Sequence, residues 1–236
     1  MTPEPTDQRF LFDMLRRMGV FEHGSEQTLV ELVERAAPIV YPQGSFLFHQ
    51  GEPAAHVYIV TAGEVAIVSP ARGGSEQVHR IIGSGQLFGE LALLSRGRRT
   101  AGARATSAST VWAVERDAFW AFLDATPAAQ AALLRLVVSL LADREAMIDD
   151  LLSLDVRGRL AKALLTLADR HGRREGQGQV QVTIPVRLTH RDLAGMVGAS
   201  RENVSRALAG FRRRGFVEYD AEAIRLLDPD ALRRLF

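Results

Sequence analysis

Short runs with alternating or continuous apolar residues, separated by glycines, occupy the chain between Pro38 and Glu115. The runs are three to five residues long and rich in Val, Ile and aromatic residues, which is typical of β strands. They cover residues 46–48, 57–60, 65–68, 78–82 and 111–114. Glycines at the breaks suit turns that need a positive φ. The pattern predicts an antiparallel β barrel or roll.

The pattern changes after Pro127 to the period of a helix, and residues 128–154 contain neither Gly nor Pro. Apolar side chains recur there at steps of three and four, as in the seam of a coiled coil. The members of this stripe are Leu133, Val137, Leu140, Met147, Leu151 and Leu154. Arg144 stands where the stripe needs another apolar residue. It either fixes the register of the coiled coil or marks a polar or anionic neighbour.

Helices and short extended segments alternate in the C-terminal part of the chain. The predicted elements are a helix over 156–170 capped by Asp155, a Gly-rich loop over 171–179, a strand over 180–184, helices over 189–197 and 200–213, a hairpin over 216–227 and a short helix that starts at Asp228-Pro229. Strands followed by helices place the chain in the α+β class.

The composition excludes several chemistries. None of the 236 residues is Cys, which rules out disulfides, thiolate zinc sites, Cys-ligated iron–sulfur clusters and a cysteine nucleophile. The six His are scattered and no catalytic motif is present, so we expect neither a metal or haem site nor enzymatic activity. The longest apolar stretch, near 133–142, is too short to span a bilayer, and the polar N-terminus lacks a secretory signal. A cytoplasmic protein without a membrane partner is therefore predicted.

Charge is unevenly distributed along the chain. Residues 1–155 carry 13 basic and 19 acidic side chains, whereas residues 156–236 carry 16 basic and 9 acidic ones. The resulting net charges of −6 and +7 favour a C-terminal module that binds a polyanion.

Residues 189–213 have the pattern of a helix-turn-helix, with a turn at Gly198 between two helices. The second helix directs three polar side chains outward near its start: Arg201, Glu202 and Arg206. Arginine can donate two hydrogen bonds to guanine O6 and N7, and glutamate can accept one from cytosine N4. The segment therefore predicts a helix that reads the major groove of DNA.

The sequence VGASRENVSRAL, over 197–208, resembles the recognition motif of the Crp/Fnr family of bacterial transcription regulators. The resemblance covers nearly the whole chain. It implies that the three outward side chains read a TGTGA-like half-site. It also implies that four further residues anchor DNA phosphates: Ser200, Thr189, Arg191 and Asn203. By the same resemblance the protein is a homodimer that binds palindromic double-stranded DNA and contacts RNA polymerase.

A second motif lies in the predicted β roll and suits a cyclic phosphodiester held against a ribose. Gly89 begins a helical turn with free N–H groups and allows the phosphate to approach, and Glu90 can accept a hydrogen bond from the ribose 2′-hydroxyl. Arg99 offers two donors to the phosphate oxygens, and Thr100 adds a hydroxyl. Arg98 is an alternative to Arg99.

Gly89-Glu90-Leu91 and Arg99-Thr100-Ala101 resemble the phosphate-binding cassette of cyclic-nucleotide-binding domains. The resemblance adds Leu91 to the ligand-binding residues. The alternative is an ion pair between Glu90 and Arg99 that bridges two strands without any ligand.

The positions expected to contact the base depart from the family pattern. Arg144 and Glu145 stand where cAMP-responsive members carry Thr followed by Ser or Asn. Arginine can stack on a purine or donate to it, and glutamate can accept from an amino group. Adenine, guanine and cyclic di-GMP therefore all remain open.

The resemblance implies three parts: a cyclic-nucleotide-binding β roll over 1–126, a long dimerisation helix over 127–154 and a winged helix-turn-helix over 155–236. It predicts a DNA-binding regulator gated by a cyclic nucleotide, with cAMP as the first candidate. One alternative is a regulator of the same fold that is constitutive or responds to cGMP or cyclic di-GMP. Another is a nucleotide-binding signalling module without DNA activity.

Overall fold

The computed structural model describes residues 4, 6–71, 76–95, 97–175, 181–185, 188–220 and 223–236. Contacts divide the chain into two compact units. The first unit joins Met1–Val68 to Ile81–Asp143, and the second joins Ser69–Arg80 to Arg144–Phe236.

Two helices, α1 (Gln8–Leu15) and α2 (Glu26–Glu34), precede the strands. The following elements in chain order are β1 (Ala36–Tyr41), β2 (Phe46–Phe48), β3 (His56–Ala62), β4 (Val65–Pro70), β5 (Glu76–Ile82), β6 (Leu87–Phe88), α3 (Glu90–Leu94), β7 (Gly102–Ala105) and β8 (Ser109–Glu115). Helices α4 (Arg116–Ala125) and α5 (Pro127–Ser153) follow.

The strands form two four-stranded sheets, with the orders β1-β8-β3-β6 and β2-β7-β4-β5. Their described pairings are antiparallel, and the β1–β8 register runs from Ala36 opposite Val114 to Tyr41 opposite Ser109. The predicted β roll is confirmed, and each predicted run falls within a strand. Strands β1, β6 and β7 were not predicted. The sequence of β7, Gly-Ala-Arg-Ala, lacks the large β-branched and aromatic residues that mark a strand.

Strand β3 is apolar along most of its length because both of its faces are covered. Val57 and Ile59 join a cluster around Trp112, which includes side chains from the flanking helices. Tyr58 and Val60, which point the other way, join a separate cluster inside the roll. Continuous apolar sequence is what a strand buried on two faces requires.

The long helix α5 has an exposed apolar stripe that is offset by one residue from the predicted one. Leu133 is buried, whereas Leu134 is 64% exposed. Leu151, a member of the predicted stripe, is also exposed, at 41%. Four further exposed apolar residues continue from Leu134 at steps of three and four, with position 145 interrupting them: Val138, Leu141, Ile148 and Leu152. We call this set with Leu134 the α5 stripe. The predicted residues Val137, Leu140 and Met147 are half-buried instead.

The second unit contains the rest of the chain. Its further elements are α6 (Val156–His171), β9 (Arg173–Glu175), β10 (Gln181–Ile184), α7 (His190–Val197), α8 (Arg201–Arg213), β11 (Val217–Tyr219), β12 (Ile224–Leu226) and α9 (Pro229–Arg233). The predicted caps are confirmed, since the Asp155 carboxylate accepts from the Gly158 N–H and the Asp228 carboxylate from the Ala231 N–H, both at 2.8 Å.

A small antiparallel sheet, β11-β12-β10-β9, stands beside α7 and α8 in the manner of a wing. The predicted loop over 171–179 was wrong in part. Residues 173–175 form β9, which pairs with β10, while residues 176–179 lie outside the described part of the chain. The Gly and Arg content of this segment concealed the strand, because pairing rather than side-chain propensity holds it.

Within the described residues, no single helix combines the length and apolarity needed to cross a bilayer. Helices α4 and α5 reach that threshold only as a pair, and a 115° bend separates them.

Candidate functional site

Gly89 makes the sharp turn from β6 into α3, and its backbone requires glycine. Its φ of 84° lies in the left-handed region. A Cβ at this position would also lie 2.7 Å from Nη1 of Arg99. The main chain at Gly89 and the Arg99 guanidinium are therefore in direct contact.

Arg99 is an almost fully buried cation, 4% exposed. Its Nη1 donates to the Gly89 carbonyl at 3.1 Å and its Nη2 to the His56 carbonyl at 2.8 Å. The guanidinium carbon lies 4.0 Å from the centroid of the Phe48 ring and 5.2 Å from that of Tyr58. Its Nε is buried without a hydrogen-bond partner. A buried donor that lacks a partner carries a free-energy cost that an acceptor would remove.

The surroundings of Arg99 favour an anion. Burial lowers the pKa of its guanidinium, and attraction to Tyr58, Glu52 and Glu90 offsets part of this effect. Burial also raises the pKa of the Tyr58 hydroxyl. Arginine nevertheless stays protonated in proteins. The Gly89 and His56 carbonyls that accept from its guanidinium are neutral, so a bound phosphate would supply a full negative charge that they lack.

The other cassette residues differ in exposure. Glu90 is buried, Leu91 is half-buried and Thr100 is exposed. Arg98 is exposed and donates to the Gly51 carbonyl at 2.9 Å. Of the two neighbouring arginines, Arg99 is the one directed into the roll, which favours it over Arg98 for the phosphate.

Arg144 and Glu145 lie on α5 in the second unit, and both are exposed. Nη1 of Arg144 is 3.3 Å from Nδ1 of His79, whose Nε2 is 2.8 Å from the Ser69 hydroxyl. Burial and the positive charge of Arg144 lower the pKa of His79 to about 4. Arg144 thus has a neutral histidine as a polar neighbour, which agrees with one of its two interpretations. Glu145 occupies the gap in the α5 stripe between Leu141 and Ile148.

Helices α7 and α8 form the predicted helix-turn-helix. Thr189 and Asp192 make a reciprocal capping box at the start of α7. Gly198 ends α7 with a φ of 61°, and the Ser200 hydroxyl caps α8 by accepting from the Asn203 N–H at 3.2 Å. Thr189 and Ser200, predicted to anchor phosphates, therefore also fix the ends of the two helices.

The predicted base-reading residues form an exposed polar surface at the start of α8. Arg201, Glu202 and Arg206 are all exposed, and Nη2 of Arg206 is 2.5 Å from Oδ1 of Asn203. Hydrogen bonds from its own N–H and from Ser200 lower the pKa of the Glu202 carboxyl, with smaller contributions from Arg201 and Arg206. Glu202 therefore remains an ionised acceptor at neutral pH. Arg191, on α7, is also exposed.

Sequence reasoning missed the residues that hold these groups in place. Arg159 donates through Nε to the Val197 carbonyl at 2.8 Å and through Nη1 to the Leu154 carbonyl at 2.7 Å. His190 is 2.8 Å, through Nδ1, from the Ser205 hydroxyl. No sequence signal marks these contacts. The stacking of Tyr58 on Arg99 was easier to predict from the sequence, because strand alternation places Tyr58 on the inner face of the roll.

Among the described residues, no three His, Asp or Glu side chains lie close enough together to hold a metal ion.

Comparisons with known proteins match each half of the chain to a family model and the chain as a whole to a relative. A model of the cyclic nucleotide-binding domain matches residues 38–126, and a model of the Crp-like helix-turn-helix domain matches residues 158–235. The chain is 34% identical over 222 residues to a CRP-like cAMP-activated global transcriptional regulator from Mycobacterium tuberculosis, covering 94% of this chain and 98% of the relative. It therefore belongs to the Crp/Fnr family of transcription regulators.

Solved structures share the fold at lower identity. FixK2 from Bradyrhizobium japonicum aligns with a TM-score of 0.72 and 23% identity, over 85% of this chain and 96% of that one. The c-di-GMP responsive global regulator CLP from Xanthomonas campestris aligns with a TM-score of 0.71 and 23% identity, over 86% of this chain and all of that one. The mixed α+β architecture with a nucleotide-binding roll, a long helix and a helix-turn-helix is common to this family.

Proposed function

We propose that this chain is a cytoplasmic, homodimeric transcription regulator whose binding to an inverted-repeat operator is gated by a cyclic nucleotide, with cAMP as the first candidate. The observation that carries the proposal is the buried Arg99, whose Nε has no partner and whose Nη atoms donate to the uncharged Gly89 and His56 carbonyls. The M. tuberculosis relative, named as cAMP-activated, supports cAMP.

The proposed roles in the effector site follow from donor and acceptor chemistry. Arg99 binds the exocyclic phosphate oxygens, with the Gly89 main chain, Leu91 and Thr100 around them, and Glu90 accepts the ribose 2′-hydroxyl. Arg144 and Glu145 are proposed to contact the base. Because neither is the hydroxyl or amide residue of cAMP-responsive members, cGMP and cyclic di-GMP are alternative outcomes of the test.

The proposed DNA contacts use the exposed start of α8. Arg201, Glu202 and Arg206 read base edges, each good pairing discriminating by about 1–3 kcal/mol. The phosphate anchors are Thr189, Arg191, Ser200 and Asn203. Contact with RNA polymerase is proposed from family membership.

The α5 stripe supports the homodimer. Five apolar side chains that follow one another at steps of three and four, apart from the gap that Glu145 occupies, suit a parallel partner helix. We propose the division into a roll over 1–126, a dimerisation helix over 127–154 and a DNA-binding part over 155–236. Gating requires the effector to bind the DNA-competent state more tightly than the other state.

The test is fluorescence anisotropy with a labelled duplex that carries a TGTGA inverted repeat, at fixed salt because salt alone changes DNA affinity strongly. The four conditions are no ligand, cAMP, cGMP and cyclic di-GMP. Tight binding with one nucleotide alone is the expected result and identifies the base. Equal binding in all four conditions would contradict gating and indicate a constitutive regulator.

A charge reversal separates the two activities. Arg201→Glu should abolish specific binding to the inverted repeat and leave nucleotide binding intact, because the side chain is exposed at the start of α8. Arg17→Glu, an equally exposed reversal in the first unit, is the control for net charge. If R201E and R17E behave alike on DNA, α8 does not read the operator.

A further inference from the structure

Helix α7 approaches strand β5 so closely that only glycine fits between them. A Cβ placed on Gly195 would lie 2.7 Å from the carbonyl oxygen of Glu76 and 2.8 Å from the N of Val78. Real Cβ atoms essentially never come this close to other heavy atoms. Both atoms belong to the main chain, so no side-chain rotation can relieve the clash. Glycine inside a helix is less favourable than alanine, and this close contact supplies a reason for its presence at position 195.

Strand β5 is itself linked to the long helix. Arg144 can only donate, so Nδ1 of His79 accepts from it, and the remaining ring proton on Nε2 is donated to the Ser69 hydroxyl. This chain of polar contacts connects α5, β5 and the end of β4. It holds the strand on which Gly195 rests.

Two further contacts hold the C-terminal end of α7. A Cβ on Gly198 would lie 2.9 Å from Cδ2 of Leu151 on α5, so the turn after α7 lies against the long helix. The Arg159 side chain joins the Val197 carbonyl at the end of α7 to the Leu154 carbonyl just after α5. Helix α7 is thus held by β5 at Gly195 and by α5 and α6 at its end.

We infer that strand β5 is a docking surface that fixes the orientation of the helix-turn-helix on the long helix, and that Gly195 is the positioning residue that allows the docking. The inference rests on the proposed function for its DNA readout. An inverted repeat places two recognition helices about 34–36 Å apart, so both must be held at one angle to the dimer axis. Holding them beforehand removes an ordering cost from the binding step. A single half-site makes no such demand.

The primary variant is Gly195→Ala, with Gly210→Ala as its matched control. Both replace a helical glycine of the helix-turn-helix, but a Cβ at Gly210 meets nothing within 4 Å. We expect G195A to weaken binding to a duplex with the TGTGA inverted repeat about tenfold and to leave binding to a duplex with one TGTGA half-site nearly unchanged. G210A should leave both affinities unchanged.

A second pair of variants tests the link between β5 and α5. His79→Ala removes both polar contacts and should weaken binding to the inverted repeat in the same selective way, by a smaller factor. His79→Gln should restore most of the affinity, because an amide can accept from Arg144 and donate to Ser69 as the neutral imidazole does.

Hydrogen exchange supplies a readout without DNA. The amides of residues 76–80 should exchange faster in G195A than in the wild type or G210A, since α7 no longer covers the strand.

Unchanged exchange together with unchanged affinity for the inverted repeat would overturn the inference. So would tighter binding by G195A, which would make the contact inhibitory, or equal weakening on both duplexes, which would indicate damage to the helix-turn-helix itself. If the wild type binds neither duplex, the proposed function fails instead.

Discussion

At the scale of single residues, the effector site depends on which of two adjacent arginines is buried. Arg99 lies beneath the rings of Phe48 and Tyr58, while Arg98 remains at the surface. A planar guanidinium suits this position because it stacks on aromatic rings and still offers donors at its edge. A lysine ammonium group at position 99 would keep the positive charge but would lack the planar shape of the guanidinium.

Arg99→Lys should therefore lower nucleotide affinity at least about tenfold, because the paired donors are lost. Isothermal titration with the nucleotide selected by the DNA assay measures the change. Arg98→Lys is the control, since its side chain is exposed and donates to one carbonyl. A similar loss in R98K would assign the phosphate to Arg98.

Glu64 gives the stability of the fold a dependence on pH. It lies in the turn between β3 and β4, and burial raises the pKa of its carboxyl to about 7, from an ordinary value of 4.5. Between these values the folded state holds a proton that the unfolded state has lost. The free energy of unfolding should therefore fall as pH rises from about 4.5 to about 7.

Glu64→Gln should remove this part of the pH dependence and raise the melting temperature at pH 8 relative to the wild type. Thermal unfolding followed by circular dichroism at pH 5 and pH 8 tests it. Glu34→Gln, at an exposed carboxyl, is the comparison. A wild-type difference between the two pH values that persists unchanged in E64Q would contradict the assignment.

At the scale of elements, the capped helix starts in the C-terminal part of the chain were predicted correctly, whereas helices α1 and α2, capped by Asp7 and Ser25, were not predicted. The side chains of Asp155, Thr189, Ser200 and Asp228 all cap helices, as their sequence positions indicate. A cap depends on local spacing, which a sequence displays directly. Strands β7 and β9 escaped prediction because their stability comes from distant partners.

Asp155→Ala should lower the free energy of unfolding by about 1 kcal/mol, since the first turn of α6 loses the acceptor for the Gly158 N–H. Denaturant unfolding measures the effect. Asp155→Asn retains a capping oxygen and should lie within a few tenths of a kcal/mol of the wild type. Equal losses in both variants would mean that the charge at this position, and not the cap, stabilises the helix.

The distinction between local spacing and distant contacts also applies to the candidate functional residues. The cassette and the recognition helix could be predicted because their chemistry lies in short contiguous segments. The partners of Arg144 and Gly195 could not, because both contacts depend on where the strand β5 lies in three dimensions. The α5 stripe falls between these cases. Its period was correct, but only burial shows which of two adjacent rows faces outward.

At the scale of the whole molecule, the α5 stripe carries the proposed assembly. Ile148→Glu should break the dimer, because it places a second charge beside Glu145 in the apolar face. Light scattering after size exclusion should then give about half the wild-type mass. Ser139→Glu adds the same charge at an exposed position of α5 outside the stripe and should leave the mass unchanged. A wild-type protein that is already monomeric would contradict the proposal.

Strand β3 has a consequence for how the effector site can change. Its side chains belong alternately to two hydrophobic cores, and its His56 carbonyl accepts a hydrogen bond from Arg99. Because β3 contributes side chains to both cores, a change of side-chain volume inside the roll also shifts the packing around Trp112. Substitutions that alter the space around the buried Arg99 should thus disturb the fold less at positions away from β3 than on the strand whose His56 carbonyl holds the guanidinium.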